Sequence, residues 1–245
     1  MEPRLQSLLI NTLYTIIPAV FLLWVLASSI GQILELAPNY SDQCLLVFVG
    51  LLLALSPFLP QHLPQERFGA ANRVTLLRAG IAALAAGSIG HSELTPAQAW
   101  CIAALTGLAL LLDGVDGWLA RRHNLESRFG ARFDMEVDAF LILVMAALVY
   151  QADKAGGWIL LSGVMRYAFI ALAQCLPWLN QSLPPRKRRQ TVCVIQTIVL
   201  AICLTPPLAR PWSALLAAVA LGLLALSFTV DIVWLARHPT LKENY

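Results

Sequence analysis

The chain has 245 residues, of which 58% are hydrophobic and only 13% charged, and its net charge is +3. Soluble globular domains carry about 25% charged residues, so this balance excludes an ordinary water-soluble globule and makes lipid the expected solvent. Cys44, Cys101, Cys175, Cys193 and Cys203 stand singly in apolar stretches. They lack the close pairing of zinc or redox motifs and read as small buried hydrophobes.

A membrane-crossing helix needs about 20 mostly apolar residues. Stretches of that kind recur at 8–34, 44–60, 74–90, 97–120, 134–152, 157–179, 190–206 and 212–236. The expectation is an all-α polytopic membrane protein with eight spans, those at 44–60, 74–90 and 190–206 being short or interrupted. The first stretch is too long for the apolar core of a cleavable signal and reads as a retained helix. With the N-terminus inside and the spans alternating, 14 of the 17 basic residues fall on one face, Lys154 and Arg210 fall on the other, and Arg166 lies inside a span. The positive-inside rule makes the crowded face cytoplasmic. The net charge then reflects topology, and nucleic acid is not an expected partner.

The fourth and fifth stretches carry the chemistry. Residues 111–140 read LLDGVDGWLARRHNLESRFGARFDMEVDAF, with four aspartates beside spanning runs. Ionisable groups at such depth are costly and usually functional. Asp113, Asp116, Gly117 and Ala120 are spaced i, i+3, i+4 and i+7 on one helix face, and Asp134 and Asp138 are spaced i, i+4 on the next helix. A turn near 123–131 brings the two faces together. Converging carboxylates repel one another unless cations intervene, and an all-oxygen site suits hard ions such as Mg2+ or Mn2+. Gly130 lets the second helix begin close to the first. The alternative is ordinary salt bridging with Arg121, Arg122, Arg128 and Arg132 at the membrane boundary.

These residues follow the pattern D-x2-D-G-x2-A-R-x8-G-x3-D-x3-D at every fixed position, through Asp113, Asp116, Gly117, Ala120, Arg121, Gly130, Asp134 and Asp138. The pattern resembles the signature of the CDP-alcohol phosphotransferase (CDP-alcohol phosphatidyltransferase) family. The resemblance covers roughly residues 68–236 as a six-helix core. It implies a core domain over 61–245 and an N-terminal helix pair over 1–60 as an extension. It also implies transfer of a phosphatidyl group from a CDP-linked lipid such as CDP-diacylglycerol to an alcohol, with release of CMP. By that resemblance Asp113, Asp116 and Asp134 coordinate two divalent ions and Asp138 is the general base. Gly117, Ala120, Arg121 and Gly130 bind the CDP group, as do Asn72, Thr75 and Arg78 of the segment ANRVTLLR, which resembles the family's N-x2-T-x2-R. Asn72, Thr75 and Arg78 also fit the start of a juxtamembrane helix.

Arg166 is expected either to clamp an acceptor phosphate or to form an internal ion pair with Asp231 or Glu136. Arg188 and Thr191 match part of the family's G-K-x-K-T stretch, from which Gln190 departs. The acceptor favoured by these basic residues is glycerol 3-phosphate, with serine, inositol phosphate, choline and a second lipid also open. The expected setting is a bacterial inner membrane with the site facing the cytoplasm, and the expected partners are donor lipid, acceptor alcohol, membrane lipids and a second copy of the chain. Two other readings remain open. One is an intramembrane prenyltransferase, whose two acidic motifs lie far apart in the chain, unlike the single cluster here. The other is a non-catalytic membrane protein that keeps the fold.

Overall fold

The computed structural model describes residues 3–91, 94–123, 127–181 and 187–237; the side chains of Ala120, Arg121, His123, Pro177, Asn180 and Lys187 lie outside that description. The described residues form eight α-helices and no strand. These are α1 (Pro3–Ile33), α2 (Tyr40–Leu55), α3 (Ala70–Ala86), α4 (Pro96–His123), α5 (Arg128–Gln151), α6 (Leu161–Cys175), α7 (Lys187–Leu204) and α8 (Trp212–Arg237). A 3-10 turn over Ser56–His62 continues α2, and another over Gly157–Leu160 leads into α6.

Each expected span corresponds to one helix, but six of them, α1 to α5 and α7, begin earlier than the apolar pattern indicates. α5 starts at Arg128 instead of 134, and α7 at Lys187 instead of 190. Apolar runs mark only the part of a helix that lipid or core requires, whereas the start is set by local capping. Ser127 supplies that cap for α5, its Oγ accepting from Gly130 N at 2.9 Å.

Among the described residues, five helical stretches are long and apolar enough to cross a membrane: α1, α2 with its turn, the Pro96–Leu119 part of α4, α6 with its leading turn, and α8. The protein is polytopic. The other three helices, α3, α5 and α7, are shorter or carry charges in their first turns. α3 has 17 residues, about 25 Å at 1.5 Å per residue. It is the central element, with every residue from Arg78 to Ser88 buried. Its run AGIAALAAG lets neighbouring backbones approach closely, which is how helices associate in lipid.

Two apolar clusters meet at α3. In the first, Leu8, Leu23 and Ala27 of α1 and Cys44 and Phe48 of α2 pack on Leu76, Ala79 and Ala83 and reach Phe129, Phe133 and Val137 of α5. In the second, Ile81, Ala82, Ala85 and Ala86 join residues of α4, α5, α7 and α8. The N-terminal helix pair is therefore continuous with the core instead of standing apart from it.

Polar links at the two ends fix an up-and-down arrangement. At one end Lys154 Nζ donates to the carbonyls of Leu208 (2.7 Å) and Thr205 (3.2 Å), and Gln43 Nε2 donates to Ile89 O (2.9 Å). At the other, Phe68 N donates to Asn11 Oδ1 (2.9 Å) and Arg188 pairs with Asp231 (2.6 Å). The start of α3, the end of α4 and the start of α5 share this second end.

α6 leans on α5 at Gly163, where a Cβ would stand 2.7 Å from Leu143 Cβ. Gly163→Ala is expected to force the helices apart and cost about 1–3 kcal/mol, seen as a lower thermal unfolding midpoint in detergent. Gly50→Ala, where nothing lies within 4 Å of the added methyl, should leave the midpoint unchanged or raised.

Candidate active site

The aspartates of α4 and α5 meet on one side chain of α3. Asp113 and Asp116 are three residues apart and so project from one face of α4; Asp134 and Asp138 do the same on α5. Between them lies the guanidinium of Arg78, only 2% exposed. Its Nη1 donates to Asp116 Oδ2 (2.8 Å) and Asp134 Oδ1 (2.5 Å). Its Nη2 pairs with Asp113 Oδ1 (2.8 Å) and donates to Asp138 Oδ1. Nε is buried without a partner.

The register follows from the starts of the helices. α3 and α5 begin at the same end and run parallel, and Gly130 faces Asn72, whose Oδ1 would lie 2.9 Å from a Cβ at 130. Glycine permits that approach. Arg78 lies six residues beyond Asn72, about 9 Å along its helix, whereas Asp134 and Asp138 lie about 6 and 12 Å beyond Gly130. The arginine therefore falls between the two carboxylates. The close contact of Gly130 is with α3, where the sequence had suggested α4. Asn72 Nδ2 donates to Phe68 O (2.6 Å), and Thr75 Oγ1 donates to Asp116 Oδ2 (3.1 Å).

Asp113, Asp116 and Asp134 each offer one oxygen, and these atoms all lie within 4.8 Å of one another. A hard divalent cation fits such a set. The charge balance points the same way, since a single guanidinium faces four carboxyl groups. Arg78 has been expected to bind the CDP group. Here both of its terminal nitrogens contact carboxylates of the acidic cluster.

A family profile described as CDP-alcohol phosphatidyltransferase matches residues 68–231. The chain belongs to the CDP-alcohol phosphatidyltransferase family. No curated protein and no solved structure matches it. Membership makes the protein a transferase of substituted phosphate groups that works on a CDP-alcohol donor and an alcohol acceptor among membrane lipids. The matched region begins at Phe68, so α1 and α2 lie before it.

The remaining residues expected in the site are placed as follows. Gly117 lies on α4 one residue past Asp116, and the side chains of Ala120 and Arg121 lie outside the described set. Arg166 does not stand free, because its Nη2 donates to Glu136 Oε1 at 2.7 Å. Of the two acids suggested for it, Asp231 is taken by Arg188, which donates to Asp231 Oδ1 (2.6 Å), Ser227 Oγ (2.9 Å) and Ser227 O (2.8 Å). The sequence reading overlooked His62 and Ser127, which sit at the starts of the site helices. Ser127 had a legible signal as a helix-capping residue, whereas a lone histidine between prolines carried none.

Arg78→Leu is expected to destabilise the metal-free protein by about 3–5 kcal/mol, since it leaves a half-buried acidic cluster without its cation. Added Mg2+ should restore part of that loss by binding the folded state, a difference that thermal unfolding with EDTA or with excess Mg2+ will measure.

Proposed function

We propose that the protein transfers a phosphatidyl group from CDP-diacylglycerol, or a related CDP-linked lipid, to an alcohol in phospholipid biosynthesis. The observation that carries this is the acidic cluster around Arg78: Asp113, Asp116 and Asp134 form one compact oxygen set, while Asp138, which shares Arg78 Nη2 with Asp113, is not a member of that set.

In this reading the compact set holds Mg2+ or Mn2+, two ions being the expected number. Bound there, such ions supply charge neutralisation on the diphosphate and on the departing CMP. The protein's own residues do the rest. Asp138 accepts the proton of the acceptor hydroxyl as its oxygen attacks the phosphorus that bears the lipid. The bond from that phosphorus to the CMP oxygen breaks, and CMP leaves with the electron pair. Asn72, Thr75, Gly117 and Gly130, with Arg121 and Ala120, line the face that receives the cytidine and diphosphate. Thr75 and Arg78 hold Asp116 and Asp134 in place.

The acceptor we propose is glycerol 3-phosphate. Support comes from Arg166, a partly exposed guanidinium that uses one terminal nitrogen on Glu136 and has further N–H groups with which to meet an anion. Glu136 precedes Asp138 by two residues, so the Arg166 pair is anchored to the helix that carries the proposed base. The clustering of arginines at the site end of the bundle supports a cytoplasmic active site in a bacterial inner membrane.

Purified protein supplied with CDP-diacylglycerol, divalent metal and a panel of acceptors should release CMP, and product mass will identify the acceptor. Asp138→Asn should cut CMP release by about 10^2–10^4-fold while Mn2+ binding and the unfolding midpoint persist; retained turnover would remove Asp138 as the base. EDTA should abolish turnover and Mg2+ restore it. Arg166→Gln should raise KM for a phosphorylated acceptor more than for the CDP-lipid. If every phosphorylated acceptor fails while an uncharged alcohol works, the glycerol 3-phosphate assignment is wrong.

A further inference from the structure

His62 ends the 3-10 turn that follows α2, six residues before the family match begins, and it is 1% exposed. Its Nε2 lies 2.9 Å from the carbonyl oxygen of Arg67, and its Nδ1 lies 2.8 Å from Ser127 Oγ. A carbonyl oxygen only accepts, so Nε2 carries the proton and donates. In the neutral ring Nδ1 is then the acceptor, and the Ser127 hydroxyl donates to it. That leaves the Ser127 oxygen free to accept from Gly130 N at 2.9 Å. Each polar atom of the chain Gly130, Ser127, His62, Arg67 is satisfied in one direction.

The two ends of this chain are the starts of the two parallel helices that form the site. Arg67 precedes Phe68, whose N–H is held by Asn11 of α1, and Gly69, whose φ of +82° turns the backbone into α3. Ser127 is the capping residue of α5. The ring of His62 also meets Phe129 edge-on, with centroids 5.8 Å apart. Because α3 carries Arg78 and α5 carries Asp134 and Asp138, one imidazole links the starts of the helices that bear the cation and two of its anions.

We infer that His62 is a positioning residue for the acidic centre, so that the turn preceding the family match, through this histidine, fixes the geometry of the site it does not line. The inference rests on the metal-centre reading given above. A ligand helix that slides by a fraction of an ångström moves Asp134 relative to Asp113 and Asp116 while leaving every ligand present. Orienting contacts of this kind, one step removed from ligands, typically govern metal affinity by about 10–100-fold.

The test uses full-length protein in detergent or nanodiscs, with Mn2+ affinity read by electron paramagnetic resonance, kcat and KM from CMP release, and the unfolding midpoint beside them. His62→Ala is expected to weaken Mn2+ binding about 10-fold or more and to lower kcat with little change in KM for the CDP-lipid. Ser127→Ala should do the same, Ser127→Thr should recover most of the loss by keeping the hydroxyl, and the double variant His62→Ala/Ser127→Ala should be scarcely worse than either single one. A lowered midpoint with unchanged Mn2+ affinity and kcat would make His62 merely structural and overturn the inference. Should His62→Ala fail to fold, Ser127→Ala against Ser127→Thr decides, and equal Mn2+ affinity in those two overturns it. Wild-type protein that turns over without binding Mn2+ would instead refute the metal-centre reading, and kcat alone then judges the positioning role of His62. Wild-type protein with neither binding nor turnover overturns both.

Discussion

Lipid offers no water to solvate a guanidinium, so Arg78 is buried only because anions surround it. The same holds in reverse for the aspartates, which converge on α3 because a cation waits there. Neither half is stable in the membrane without the other. Three helices must therefore meet at one depth, and much of the remaining architecture serves that meeting. α1 and α2 cover one side of α3, and α4 and α5 cover the other, with α7 packed behind them.

That constraint explains why the central helix looks so unlike its neighbours. α3 is packed all round, so it needs small residues at its contacts more than apolar bulk toward lipid, and it has them from Ala79 to Ala86. Its polar residues, Asn72, Thr75 and Arg78, crowd the first half, where α5 begins and α4 ends. An acidic cluster in which four carboxyl groups share a single fixed cation is also poised electrostatically. It is stiff enough to hold its ligands in register and unbalanced enough to attract a divalent ion.

The sequence foretold the helices well because apolar run length is a strong signal in a membrane chain. It foretold the four aspartates because their spacing puts them on facing helices. It was weaker wherever pairing depends on which side chains share a depth. Nothing in a linear pattern says that Arg78 sits between Asp134 and Asp138; that follows from the contact of Gly130 with Asn72. Arg166 had two candidate acids, and the choice of Glu136 became visible only when Asp231 proved to be engaged by Arg188. His62 was invisible because its partners, 5 and 65 residues away, are joined only by the fold.

The strongly apolar helical segments and the more polar ones alternate along most of the chain: from α2 onward each of α3, α5 and α7 lies between two members of the apolar set. A segment carrying several charges is poorly retained by the bilayer alone, but it can enter as one arm of a hairpin whose other arm inserts readily. The order of the helices thus doubles as an assembly programme. Each polar helix is delivered beside an apolar escort, and α4 brings Asp113 and Asp116 into the bilayer directly after Arg78, so the cation and its first anions reach the membrane interior together.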